Sequence, residues 1–177
     1  EVLDDMVANP NRHSFEACEH TLSIMFIDLV DFSAIVRDLS PEKSFHLLSR
    51  QLNAIAEIVT YHGGIVDRCT GDGLLCYFGH PVVDQTKKYT NSHEDRALTA
   101  AIYLQKKMVQ EYISQKEGDP VFPVRIGINT APAYIGNLGA SSPLDITIIG
   151  HGVNLAKRLE ETCGLFMIGL GSQTIQG

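Results

Sequence analysis

Apolar positions recur along this chain with two different periods. Leu22 to Ile27 is apolar on both faces, as expected of a buried central strand. After Ser40-Pro41, a serine N-cap followed by proline at the first helical position, Phe45, Leu48, Leu52, Ile55 and Val59 recur at helical spacing, and Gly63-Gly64 ends that helix. Ile65-Val66 and Leu74 to Phe78 then flank Gly71-Asp72-Gly73, which predicts a hairpin with Asp72 at its tip. Residues 80–92 read as a loop, and Ser92-His93-Glu94-Asp95 opens a second helix carrying Ala97, Ala101, Leu104, Met108 and Tyr112 on one face, fading by Gly118-Asp119-Pro120. Val124 to Asn129, Ala133 to Ile135 and Ile146 to Ile149 read as strands, followed by a helix from about Gly150 to Glu161 and a last strand through Phe166 to Leu170. The order, roughly βαββαββ followed by βαβ, predicts an α+β fold with helices covering one face of a mostly antiparallel sheet.

Residues 1–20 are polar and lack sustained periodicity, so a lead-in or linker is expected there and a single domain over 21–177. A chain of 177 residues is long enough for a full core without staples. The first residue is Glu1, which suggests a piece of something longer. A formal net charge of −7 without a lysine or arginine cluster argues against nucleic acid or an anionic membrane as partner. Cys18, Cys69, Cys76 and Cys163 have no zinc-like spacing and form no CxxC pair, which favours reduced thiols and a cytoplasmic domain. No apolar run approaches the roughly 20 residues of a membrane span, although a parent protein could still be attached to a membrane.

The candidate chemistry lies at two strand ends. Asp28 follows the run Met25-Phe26-Ile27, and Asp72 lies in the turn after Ile65-Val66. Two carboxylates at neighbouring strand ends can hold two divalent cations about 3.5–4 Å apart, a spacing that clamps the attacking and leaving oxygens of a phosphoryl transfer. Singly, each has an ordinary structural reading: Asp28 as a strand end, Asp31 as a cap before Phe32-Ser33, and Asp-Gly as a preferred hairpin dipeptide.

Taken in order, these stretches resemble the class III nucleotidyl cyclases, the adenylyl and guanylyl cyclase catalytic domain, over about residues 20–172. Phe26 to Ser33 matches the first signature and His62 to Asp72 the second. The third and most specific comprises Arg125 to Thr130, Gly136 to Gly139, Asp145 to Gly150 and Val153 to Glu160. The resemblance implies a ferredoxin-like βαββαβ core extended by a C-terminal βαβ segment. It implies Asp28 and Asp72 as ligands of two Mg²⁺ or Mn²⁺ ions, with the Leu29 carbonyl helping one ion and the amides near Phe32 and Ser33 receiving phosphate oxygens. Asn154 would position the ribose and Arg158 would steady charge on the transferring phosphate; four residues apart on a helix, they share a face. Arg158 could instead be a solvated helix residue paired with Glu160 or Glu161.

Arg68 falls where the family's adenylyl cyclases carry lysine and its guanylyl cyclases glutamate, and Thr147 falls where many members carry aspartate. An arginine offers only donors and a threonine hydroxyl can accept, which favours adenine over guanine. Both positions also suit ordinary strand residues. Ala131 stands where a glycine is frequent, and the family's triphosphate-binding lysine, expected in a C-terminal segment, is not found before Gly177. The resemblance further implies ATP as substrate, cyclic AMP and pyrophosphate as products, and a homodimer with sites between protomers. An upstream sensor is expected, and the threonine-bearing subgroup includes bicarbonate-responsive enzymes. The alternatives are a guanylyl cyclase and a non-catalytic nucleotide-binding domain on the same fold.

Overall fold

Two apolar faces on one set of strands determine the architecture. The computed structural model describes residues 17–81, 83–84, 89–115, 120–137 and 146–176. Within them lie β1 (Cys18–Leu29), α1 (Phe32–Ile35), α2 (Pro41–Tyr61), β2 (Ile65–Cys69), β3 (Gly73–Phe78), α3 (His93–Ser114), β4 (Val124–Asn137), β5 (Ile146–Ile149), α4 (His151–Thr162), β6 (Ile168–Leu170) and α5 (Ser172–Gln176). The strands form one sheet in the order β2-β3-β1-β4-β5, with β6 parallel to the first part of β4 and the other pairings antiparallel.

Alternation along the strands sends Met25, Ile27 and Leu29 of β1, Cys76 and Phe78 of β3, and Ile126 and Ile128 of β4 into one core. Helices α2 and α3 close this core with Leu47, Ile55, Val59, Ala101, Leu104 and Met108. Both begin as the sequence predicts: Ser40 Oγ accepts from the Lys43 amide, with Pro41 opening the helix, and Ser92 Oγ accepts from the Asp95 amide. Buried Gln51 of α2 clamps the segment before β4, donating to the Phe122 carbonyl at 2.6 Å and accepting from the Phe122 amide at 3.0 Å.

The other residues of the same strands, Leu22, Ile24, Phe26, Leu75, Tyr77 and Ala133, form a second cluster with Ile148 of β5 and Ala156 of α4. Helices α2 and α3 thus lie on one face, as expected, and the helix of the C-terminal segment covers part of the other. Gly127 permits this: a Cβ there would collide with the Ala156 carbonyl and the Glu160 amide of α4. Among the described residues no helix is long and apolar enough to cross a membrane.

Two boundaries differ from expectation. Strand β1 begins at Cys18, inside the anticipated lead-in, because Cys18 to His20 pair with Ala133 to Ile135 of β4; residues 1–16 lie outside the described ones. The two strands expected over 124–135 are one, β4. Thr130-Ala131-Pro132 looks like a break in sequence, but these residues stay in register opposite Thr21, Leu22 and Ser23. Pro132 lies between the β4 stretches that pair with β6 and with β5, where a missing N–H is tolerated. Leu138, Gly139 and Asp145 of the third signature also lie outside the described residues.

Candidate active site

The two candidate aspartates are neighbours because of where β1 and β3 end. Asp28 is paired with Gly73 on one side and Arg125 on the other. The turn between β2 and β3 brings Asp72 to this point, with Gly71 at φ 81 and the Thr70 amide donating to the Gly73 carbonyl at 2.9 Å. The positive backbone angle expected of the Asp-Gly dipeptide is carried by Gly71, at the first central position of the turn. Gly73 is needed for close approach: a Cβ there would overlap the Ile27 carbonyl oxygen. The Leu29 amide donates to the Asp72 carbonyl at 3.4 Å, tying the turn to the end of β1.

The chain then reverses sharply. Asp31 sits in the left-handed region at φ 58, which aspartate tolerates better than most residues, and its carbonyl accepts from the Ala34 and Ile35 amides as α1 begins. Phe32 packs edge-on against Phe122 at 5.0 Å, and Ser33 is exposed in the first turn of α1.

The electrostatics at Asp72 are those of a partly buried carboxylate beside a second one. The Asp72 carboxyl is held above its ordinary value, first by burial and then by the negative charge of Asp28, with a hydrogen bond between the two side chains adding to the rise. Arg125 Nη2 donates to Asp28 Oδ2 at 2.7 Å and lies 3.3 Å from Glu160 Oε1, an ion pair without hydrogen-bond alignment. Glu160 is fully buried and also receives Lys157, whose charge reaches Asp72. Burial raises the Glu160 carboxyl, against the pull of Lys157. Two adjoining carboxylates with a strand-end carbonyl form a hard oxygen donor set, which fits Mg²⁺ or Mn²⁺. Among the described residues no cluster of three or more His, Cys, Asp or Glu side chains suited to a metal occurs.

Asn154 and Arg158 are exposed on α4 and line one open groove of about 430 Å³ with Asn129, Thr130, Ser172 and Gln173. Among the described residues no carboxylate pairs with Arg158; Glu160 and Glu161 are taken by Lys157. Exposed His151 lines the same groove.

Arg68 and Thr147 also come together, through a residue the sequence did not single out. Arg68 Nε donates to Asp67 Oδ2 at 2.8 Å and Thr147 Oγ1 donates to the same oxygen at 2.9 Å. Strands β2 and β5 stand at opposite ends of the order β2-β3-β1-β4-β5, so this contact requires a sheet curled until its ends meet. The candidates therefore assemble as Asp28 with Asp72, Asn154 with Arg158, and Arg68 with Thr147. Arg125, Lys157, Glu160 and Asp67 were missed. A basic residue directly across from Asp28 could have been suspected only with the β1–β4 register in hand.

Residues 16–176 match the family model described as the adenylate and guanylate cyclase catalytic domain. Adenylate cyclase 1 of Rhizobium meliloti is 31% identical over 145 residues, 81% of this chain and 21% of the relative, so the chain spans about a fifth of that protein. Among solved structures, the adenylyl cyclase CyaB from P. aeruginosa superposes with a TM-score of 0.77 at 30% identity, covering 91% of this chain and 81% of the other. The catalytic core of a rhodopsin-guanylyl cyclase with converted specificity, in complex with ATPalphaS, gives 0.78 at 25% identity, covering 91% and 83%.

Proposed function

The chain belongs to the adenylate and guanylate cyclase catalytic domain family, and from that premise we propose that it is an adenylyl cyclase domain, converting ATP to cyclic AMP and pyrophosphate as a homodimer. The observation that carries this reading is the meeting of Asp28 and Asp72 at adjoining strand ends, where Asp28 pairs with Gly73 and the Leu29 amide donates to the Asp72 carbonyl.

Asp28, Asp72 and the Leu29 carbonyl would hold two Mg²⁺ or Mn²⁺ ions. When bound, such ions supply Lewis-acid activation of the ribose 3′-hydroxyl and neutralise phosphate charge. In the reaction the 3′-oxygen bonds to the α-phosphorus, its proton is lost, and the bond to the leaving pyrophosphate breaks. The turn at Phe32 and Ser33 would offer backbone amides to phosphate oxygens. Asn154 would orient the ribose, and Arg158, with no carboxylate partner among the described residues, would offset charge on the transferring phosphoryl group. Arg68 and Thr147 would read the purine. Asp28 and Asp72 lie beside the buried Glu160 face of α4, whereas Asn154 and Arg158 face the groove. That separation supports a site completed between two protomers, with the aspartates from one and Arg68, Thr147, Asn154 and Arg158 from the other.

The test is product formation by the purified chain with Mn²⁺ and either ATP or GTP, across a protein dilution series, beside Asp72→Asn. Cyclic AMP in excess of cyclic GMP, with turnover per chain falling on dilution and lost in Asp72→Asn, is the expected result. A preference for GTP, constant turnover per chain through the monomer range, or no cyclic product would overturn the reading.

A further inference from the structure

The Asp67 side chain is 2% exposed while that of its neighbour Arg68 is 41% exposed, and buried Thr147 lies against it. Strand alternation would send Asp67 and Arg68 to opposite faces. The register shift between Val66 and Arg68 in the β2–β3 pairing removes that constraint, and the Arg68 Nε meets the Asp67 carboxylate. The same carboxylate oxygen takes the Thr147 hydroxyl from the far end of the sheet.

A threonine hydroxyl has one proton and two lone pairs, and a carboxylate ion-paired with a guanidinium has only acceptors. With its proton given to Asp67, Thr147 can turn only lone pairs toward a ligand. We infer that Asp67 is a specificity-determining positioning residue: it fixes Thr147 as an obligate acceptor, so the site takes a purine with an amino group at C6 and rejects one with a carbonyl there. This rests on the adenylyl cyclase reading and gives it a mechanism, since arginine and threonine in the purine site do not by themselves set which way the hydroxyl points. To donate to the O6 of guanine or hypoxanthine, Thr147 must withdraw its proton from a buried carboxylate, leaving that oxygen a bond short. Asp67 also anchors Arg68 at Nε, so a single buried side chain sets both groups implied to face the base.

Asp67→Asn is close to isosteric and removes the charge. With its carbonyl oxygen at the shared point, Thr147 donates to a neutral acceptor instead of a carboxylate, a bond roughly half as strong, so turning the hydroxyl proton toward the ligand costs less. The experiment compares kcat/KM for ATP, GTP and ITP in the wild type, Asp67→Asn, Thr147→Val and the double variant, with the same ratios measured by competitive nucleotide binding. Expected is a fall of about tenfold or more in the preference for ATP over ITP and GTP in Asp67→Asn, about the size of one hydrogen-bond discrimination. Thr147→Val should lose the preference by itself, and adding Asp67→Asn to it should change the ratio no further. Thr147→Val also tests the inference if Asp67→Asn fails to fold. An equal loss with all three nucleotides, or an undiminished ratio in Thr147→Val, overturns the inference while leaving the adenylyl cyclase reading intact. A wild type that prefers GTP overturns both.

Discussion

Replacing Gly73 by alanine tests whether the approach of the hairpin to β1 sets the geometry of the two aspartates. The new Cβ would fall within 3.0 Å of the Ile27 carbonyl oxygen and 3.1 Å from Thr70 Oγ1, with ordinary contact beginning at 3.4 Å. Since the closest obstacle is backbone of the central strand, the hairpin tip must give way by more than half an ångström and up to about 1 Å, carrying Asp72 with it. Overpacking of this kind costs about 1–3 kcal/mol, a fall of roughly 2–10 °C in Tm for a domain of this size. Catalysis should suffer more, because a misplacement of about 1 Å between reacting groups can cost on the order of 10²-fold, so a loss of at least tenfold in kcat is expected. The control is Gly71→Ala, where a Cβ meets nothing within 4 Å but φ is 81. It should lose about 1–2 kcal/mol through backbone strain while leaving Asp72 near its place. The assay is cyclic nucleotide formation at saturating Mn²⁺ beside thermal melts of both variants. Equal activity in two variants of similar stability would refute the reasoning.

Gln51→Leu strands both backbone groups of buried Phe122; at about 1–3 kcal/mol each, the urea midpoint should fall by an amount equivalent to roughly 2–6 kcal/mol. Arg125→Met removes a partner from Asp28 and from fully buried Glu160; a loss of about 1–3 kcal/mol in urea unfolding is expected, with partial recovery when Glu160→Gln removes the stranded charge. Burial holds the His93 imidazole below its ordinary 6.5, with Arg96 pushing the same way and Glu94 and Asp84 pulling it back. The unfolded chain therefore takes up this proton first as pH falls. Stability should drop as pH is lowered through and below 6.5, and the His93→Gln variant should show a shallower dependence in urea titrations at a series of pH values.

Elements whose start is encoded by a few adjacent residues were legible in the sequence. Ser40-Pro41 and Ser92 to Asp95 cap α2 and α3 as read, and the apolar run at Leu22 to Ile27 is the centre of β1. Features that depend on pairing across the sheet were not. The union of 124–129 and 133–135 into β4 follows from β1 running alongside both, and the extension of β1 back to Cys18 follows from the tail of β4. For the candidate site, the placement of the aspartates at strand ends and of Asn154 and Arg158 on one face of α4 could be read because each needs only local spacing. Asp67 was hidden because its importance comes from a bulge and from Thr147, 80 residues away. Arg125 lay inside a motif, but its work on Asp28 depends on a strand register that no local pattern encodes.

The position of β1 between β3 and β4 also bears on how the chain is made. β1 ends at Leu29 and its second partner begins only at Val124. At a synthesis rate of about 5–20 residues per second, the nascent strand waits on the order of 5–20 s for that partner after leaving the ribosome. The hairpin of β2 and β3 emerges about halfway through the interval and can cover one edge. The other edge, an open row of amides and carbonyls on a central strand with an apolar run from Ile24 to Ile27, remains exposed to neighbouring chains until β4 is complete. Yield during expression should therefore be more sensitive to temperature and chaperone supply than the stability of the finished domain would suggest.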